Sequence, residues 1–186
     1  MKSQSLKNII ANDYRRYQGH NEVIKFGNIS LNNWGGWILE ALVCRNYRFA
    51  FTFWFRILSH RTNLLLKVTA KIFYLRLSRK YGLEIPAGTN IGSGLYIGHG
   101  IGIIINSKSI IGHDCNLSQF LTIGSNKGTP ATIGNNVYIG PNVCIIEDVR
   151  IGNNVKIGAG TVVINDVPDN ATSVGNPNRI IEKKYE

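Results

Sequence analysis

From Ile85 onward an aliphatic residue recurs at every sixth position, with two interruptions. The series runs Ile85, Ile91, Ile97; then Ile105, Ile111, Leu117, Ile123; then Ile133, Ile139, Ile145, Ile151, Ile157, Val163. Eight of these thirteen residues are followed directly by Gly, at 92, 98, 112, 124, 134, 140, 152 and 158. Four residues after an aliphatic stands a smaller side chain, such as Ser109, Cys115, Val137, Val143, Val149, Val155 or Thr161. This period fits neither a helix nor a plain alternating strand. It fits a short strand and a corner, repeated, with the aliphatic inward and Gly, Asn or Asp supplying the backbone freedom for the bend. Three such edges close a triangle, and stacked triangles share one apolar core. The repeat predicts a mainly β chain built as a left-handed parallel β-helix of four to five coils, an exception to the right-handed crossover preference. A β-sandwich would not hold this register over such a length.

The step from Ile97 to Ile105 is eight residues, so two are inserted around Gly98–Gly102; the step from Ile123 to Ile133 is ten, so four are inserted within GSNKGTPAT. A solenoid accepts insertions at its corners, where they become outward loops. The first insertion contains His99, which makes it the leading candidate for chemistry.

Ahead of the repeat the periodicity changes. Between Ile38 and Leu58 apolar residues fall at 38, 42, 49, 53 and 57, with Arg45, Arg48 and Arg56 on another face, which predicts a helix. A second helix is predicted from about Thr62 to Tyr81, and WGG at 34–36 breaks or precedes the first. Six of the seven Phe and all three Trp lie in this half. Net charge divides at the same point: residues 1–83 carry +11 and residues 84–186 carry −1 of the total of +10. These shifts place a boundary near Tyr81–Glu84, giving a basic, aromatic helical region at 1–83 and a β-helix domain at 84–186.

Composition narrows the rest. Cys44, Cys115 and Cys144 are odd in number and widely spaced, which suits a reducing compartment and forms no disulfide framework. The first residues lack the apolar core of a signal peptide, and the richest apolar stretch, FAFTFWF at 49–55, is closed by Arg48 and Arg56. A cytoplasmic location is expected. No groove-reading motif accompanies the charge, so nucleic acid is not an expected partner. The repeat region holds only His99 and His113, too few for a three-histidine zinc site, so no metal is expected. His113, in IGHDCN, reads as a corner residue with a structural role.

The stretches IPAGTNIGSGLYIGHGIGIIINSKSIIGHDCNLSQFLTIG and IGNNVYIGPNVCIIEDVRIGNNVKIGAGTVVINDVPDNATSVGNPNRII resemble the hexapeptide-repeat acyltransferases, and among them the serine acetyltransferase-like branch. That branch includes O-acetyltransferases of surface polysaccharides. The resemblance implies a homotrimer with acetyl-CoA as cosubstrate in the groove between neighbouring β-helices. His99 falls on the catalytic histidine of the family, and Glu84 falls where an acidic residue orients it. A carboxylate there would hold one ring N–H and stabilise the imidazolium. Gly140, Gly158, Ala159 and Gly160 match the small corner residues along which the pantetheine arm lies, and Arg179 matches a basic residue that meets the nucleotide end.

The sequence also departs from the serine enzymes. They carry Asp just before the catalytic histidine and an Arg-His pair in the later loop; here Gly98 stands at the first position and the loop reads SNKGTPA. Serine's charged groups would lack their partners, and unmatched charges in a closed site are costly. This favours a sugar hydroxyl of a surface polysaccharide or its precursor as acceptor, with serine as the alternative and a non-catalytic scaffold at the membrane as the rival outside the enzymes. The basic helical half reads first as a cap over the open coil. Its sharper reading is a peripheral contact of residues 34–80 with anionic lipid at the inner face of the membrane.

Overall fold

Only two of every six residues in the repeat need to point inward, so each edge is a minimal strand and the fold lives on stacking between coils. In the computed structural model, which describes residues 4–18, 34–126 and 128–181, the chain winds a three-sided parallel β-solenoid of about four turns behind four helices. The first side stacks β1 (Asn90–Ile91), β4 (Ile110–Ile111), β7 (Thr132–Ile133) and β10 (Arg150–Ile151). The second stacks β2 (Tyr96–Ile97), β5 (Asn116–Leu117), β8 (Tyr138–Ile139), β11 (Lys156–Ile157) and β13 (Thr172–Val174), closed by the antiparallel β14 (Arg179–Ile181). The third stacks β3 (Ile104–Ile105), β6 (Thr122–Gly124), β9 (Cys144–Ile146) and β12 (Val162–Val163). The register pairs the repeat aliphatics with one another, as in Ile97 with Leu117 and Ile139 with Ile157.

The smaller residues identified from the sequence are inward too. Ser109, Cys115, Val143, Val155 and Thr161 have no exposed surface, and Val137 and Val149 retain 1% and 3%. Each edge thus reads in–out–in, as Val137–Tyr138–Ile139 does, which is ordinary strand alternation compressed between corners.

The corners differ in chemistry. After the first side the turns carry Asp114, Asn136, Asn154 and Asn170, all at φ between 55° and 61°. Asn and Asp tolerate this left-handed region better than other non-glycine residues. Their neighbours form a ladder: His113 N donates to Asn135 Oδ1 at 2.8 Å, Asn135 N to Asn153 Oδ1 at 2.9 Å and Asn153 N to Asp169 Oδ1 at 2.7 Å. That corner is sealed by its own side chains. After the second side the turns read Gly98-His99-Gly100, Ser118-Gln119-Phe120, Gly140-Pro141-Asn142 and Gly158-Ala159-Gly160. This second corner offers backbone instead of a polar ladder.

The helices are α1 (Leu6–Gln18), α2 (Trp34–Val43), α3 (Tyr47–Ser59) and α4 (Leu64–Tyr81). The expected helix over 38–58 is two helices, because Cys44 turns to φ 52° and Asn46 caps the second by accepting from Phe49 N at 3.2 Å. Phe49, Phe51, Phe53, Trp54, Phe55 and Ile57 are at most 1% exposed, so α3 is buried on every side among α1, α2, α4 and the first coil. Gly82, at φ 64°, ends α4, and the first parallel bridge, Glu84 to Ile104, follows two residues later.

Arg56 is the clear exception to the sequence reading, which placed it on a polar face. It is buried against Asp13 of α1, with Nε 2.7 Å from Oδ2 and Nη2 3.2 Å from Oδ1. Arg56 also donates to the carbonyls of Ile91 and Gly92, each at 2.6 Å, and Asp13 accepts from Leu95 N at 2.8 Å. Tyr17 accepts from Ile97 N at 3.1 Å. These backbone groups belong to the first coil and have no coil above them. Burial pushes the Asp13 carboxyl above its usual range, and the Arg56 guanidinium opposes that push.

Replacing Arg56 with Met should cost about 3–5 kcal/mol, since it strands a buried carboxylate. Apolar replacement of both partners, often neutral for a buried pair, should not recover this loss, because Ile91, Gly92 and Leu95 would lose their partners as well. Denaturant unfolding of the two variants checks both expectations.

Candidate functional site

The two-residue insertion read from the sequence lies at the second corner of the first coil. Phe120 N donates to Ile101 O at 2.9 Å, so Ile101 stacks on the coil below and His99–Gly100 is the added pair. Fitting it into the corner drives His99 to φ 49°, and Ile101 N closes a tight turn onto His99 O at 2.7 Å. The His99 side chain is exposed. A non-glycine residue in this backbone region costs of order 1–3 kcal/mol unless its surroundings hold it there.

The holding contacts come from the helices. Gly102 N donates to Tyr81 O at the end of α4 at 2.9 Å. A Cβ on Gly100 would lie 2.8 Å from Ile97 Cγ2, 3.4 Å from Arg48 Cγ and 3.7 Å from Tyr47 Cε2, so the bulge is pressed against the start of α3. Tyr47 and Tyr81 stack with ring centroids 3.9 Å apart, joining the start of α3 to the end of α4 beside it.

Four of the other candidate residues share that corner. Gly140 and Gly158 follow β8 and β11 on the side where Gly98 follows β2, and Gly98 N, Gly140 N and Gly158 N each donate to the coil below at 2.8–2.9 Å. At about 4.8 Å per rung, Gly158, Ala159 and Gly160 lie roughly 14 Å along the corner from His99. Gly160 N donates to Pro141 O at 2.8 Å, and Ala159 and Gly160 are exposed. The glycines differ in what they permit. A Cβ on Gly140 would sit 2.8 Å from Ala159 N, so the rung spacing itself requires glycine there. Gly160 stands at φ 69° with open space beside it. Arg179 is exposed on β14, paired with Val174, at the far end of the same side.

Glu84 lies at the head of the third side, above Ile104: its N–H donates to Ile103 O at 2.7 Å and its carbonyl accepts from Ile105 N at 2.8 Å. Its side chain is exposed, as that of His99 is. The structure brings both to the capped end, either side of the segment that joins β2 to β3, but no hydrogen bond or ion pair joins them in the single chain. Burial pushes the Tyr74 hydroxyl above its usual range, and the Glu84 carboxylate pushes it further.

Other histidines are accounted for differently. His113 Nδ1 lies 3.1 Å from Ser93 N and 3.2 Å from Ser93 Oγ, a corner contact in keeping with its expected structural role. His60 Nδ1 meets Arg56 O at 2.9 Å, and His20 lies outside the described residues. Among the described residues, no group of three or more His, Cys, Asp or Glu is placed to hold a metal ion. The second insertion emerges at the third corner, where Glu147 secures it by accepting from Ser125 Oγ at 2.7 Å and Asn126 N at 3.0 Å. The sequence reading did not single out Glu147; a carboxylate 22 residues after Ser125, one coil on from the loop, was the available signal.

The coil geometry agrees with comparisons to known proteins. Residues 130–165 match the family model for the bacterial transferase hexapeptide (six repeats). A chloroplastic serine acetyltransferase of Arabidopsis thaliana is 35% identical over 147 residues, covering 77% of this chain and 44% of its own length. A putative colanic acid biosynthesis acetyltransferase, WcaB of Escherichia coli K12, is 42% identical over 104 residues, covering 54% of this chain and 64% of its own. Among solved structures, a serine acetyltransferase in complex with CoA superposes with a TM-score of 0.71 at 26% identity, over 95% of this chain and 70% of that one. Residues 130–165 thus carry the hexapeptide repeat of that family, and the chain is similar in sequence and fold to acetyltransferases of the serine acetyltransferase and WcaB kinds. It spans less than half the length of the serine acetyltransferases of Arabidopsis and Synechococcus elongatus that it matches.

Gly140→Ala should lower the melting temperature by the equivalent of about 1–3 kcal/mol, because the new methyl collides with backbone of the next rung. Gly160→Ala should cost only about 1 kcal/mol, from the left-handed backbone alone. Thermal melts of the two variants rank the corner positions by space against conformation.

Proposed function

We propose that the chain is an acetyl-CoA-dependent O-acetyltransferase, with residues 1–83 as a helical cap and residues 84–186 as the transferase domain. The observation that carries this reading is the second corner, where a strained, exposed His99 shares one edge of the solenoid with the exposed backbone of Ala159 and Gly160. His99 acts as general base: it takes the proton of the acceptor hydroxyl while that oxygen attacks the thioester carbonyl. The tetrahedral intermediate collapses, the C–S bond breaks, and the imidazolium returns the proton to the departing thiolate. No covalent enzyme intermediate is required. Glu84 is the positioning carboxylate for the imidazolium, reached by a side-chain rotation from its exposed place above Ile104.

The acetyl-CoA site fits the residues present. The pantetheine arm lies along the open corner at Ala159 and Gly160, and Arg179 meets the phosphates at the far end. A solved relative of the same fold is complexed with CoA, which supports this placement. The homotrimer belongs to the same proposal. On and beside the third side, Ile101, Ile104, Phe120, Ile146 and Ile164 are 40–52% exposed, and a neighbouring β-helix would cover them while closing the groove over His99.

L-serine is the acceptor this reading puts first, reversing the order read from the sequence, because serine acetyltransferases dominate the similar proteins. A second reading, a sugar hydroxyl, rests on two particular observations. A side chain at Gly98 would have room, its Cβ meeting Tyr96 Cε1 at 3.4 Å and Leu117 O at 3.9 Å, yet the position is glycine; and the loop SNKGTPA holds neither Arg nor His. The 42% identity to WcaB points the same way.

Release of CoA thiol from acetyl-CoA should accompany addition of L-serine, and His99→Ala should lower kcat by at least about 10²-fold with an unchanged circular dichroism spectrum. Turnover with oligosaccharides and none with serine would transfer the assignment to the sugar. Absence of turnover with either, and a His99→Ala variant indistinguishable from the parent, would return the chain to a scaffold.

A further inference from the structure

Helix α4 is apolar on two opposite faces. One carries Leu66, Ala70, Phe73, Tyr74, Leu77 and Tyr81, which are buried or half-buried against the rest of the cap. The opposite face carries Leu64 and Leu65, each 78% exposed, Val68 at 50%, Ile72 at 61% and Leu75 at 36%. Val68, Ile72 and Leu75 fall at i+4, i+8 and i+11 from Leu64, with Leu65 at its edge at i+1, one continuous stripe by helical geometry. Isolated exposed aliphatics are normal, but five in one stripe are not.

The charge around the stripe is of one sign. Helix α4 contains Lys67, Lys71, Arg76, Arg79 and Lys80 and no Asp or Glu. A surface groove of about 660 Å³ has Ile72 and Leu75 for its apolar lining and Arg76, Arg79 and Lys80 for its cationic one. At the end of α2, Leu39, Leu42 and Val43 are also 42–52% exposed. No helix among the described residues is long and apolar enough to cross a membrane.

We propose that the outer face of α4 lies on an anionic lipid surface, with the aliphatic stripe entering the headgroup boundary and Lys71, Arg76 and Arg79 meeting lipid phosphates. Complementarity selects this occupant. A second copy of the same face would bring five cations against five with no acid on the helix to match them, and like-charge juxtaposition opposes such pairing. Nucleic acid would answer the charge but leave the central leucines and isoleucine in water. An interfacial helix requires both an apolar face and flanking Lys or Arg, and α4 carries both. The inference is independent of acetyl transfer and of which acceptor is used.

Co-sedimentation of the full chain with vesicles of phosphatidylcholine alone, and of phosphatidylcholine mixed with phosphatidylglycerol, tests it. Binding is expected only to the mixed vesicles and should fall as salt rises. Arg76→Gln and Arg79→Gln should each weaken partitioning about fivefold, and Ile72→Glu, at an exposed site that leaves folding intact, should abolish it. Equal binding to both vesicles, or to neither, overturns the proposal. So does a parent chain that ignores lipid but becomes smaller by analytical ultracentrifugation on Ile72→Glu, since the face would then be covered by a second copy.

Discussion

A solenoid coil hydrogen-bonds upward and downward, so the first coil is left with donors and acceptors that have nothing above them. In this chain those groups are buried beneath helices, where an unmatched backbone group costs about 1–3 kcal/mol. Asp13, Tyr17 and Arg56 supply the missing coil with side-chain atoms: a carboxylate for Leu95 N, a hydroxyl for Ile97 N and a guanidinium for the carbonyls of Ile91 and Gly92. An apolar lid could cover the core but could not meet these groups. The buried ion pair is therefore better understood as backbone termination than as a source of attraction between two charges, which in a protein interior roughly cancels against their desolvation.

Much of the β-helix was legible because its determinant repeats. Each inward position recurs every six residues, so the register from Ile85 to Val163 can be counted, and counting also predicts that Ile97, Leu117, Ile139 and Ile157 share a side. The grouping of His99 with Gly140 and Gly158 follows from that count. The cap was less legible because its determinants are single residues far apart: Asp13 meets Arg56 across 43 positions and Leu95 across 82. An arginine among aromatics looks like the polar edge of a helix until its partner is known. Two local signals were present all the same. Ile10, Asp13, Tyr14 and Tyr17 have the spacing of one helical face, and Asn46 stands where a helix N-cap is expected.

Glu84 marks the boundary of what spacing can say. Its distance of fifteen residues from His99 places the carboxylate at the same end of the solenoid. Contact between two exposed side chains depends on rotamers and on whatever else closes over the corner. Burial by a neighbouring protomer would lower the local dielectric and strengthen the pull between imidazolium and carboxylate. The same closure would shield the thioester from water. In the proposed trimer, assembly and acid–base chemistry would thus be coupled by one event, the covering of the third side.

The cap does more than end the solenoid. His99 sits in a left-handed conformation inside an insertion that has no partner coil above it, so the stacking of coils holds it from below only, through Phe120 N and Ile101 O. Position comes from Tyr81 O, which holds Gly102, and from Tyr47 and Arg48, against which Gly100 is pressed. Those residues belong to the start of α3 and the end of α4, whose mutual placement depends on the aromatic packing of α3. The strain at His99 is sustained by the burial of phenylalanines and tryptophans nearly all of which lie outside the repeat. This explains why a solenoid whose second corner is built largely from glycines and small residues carries so many large aromatics ahead of it. In the proposed reaction the repeat would provide the surface for an extended ligand, and the helices would determine where along that surface a base can stand.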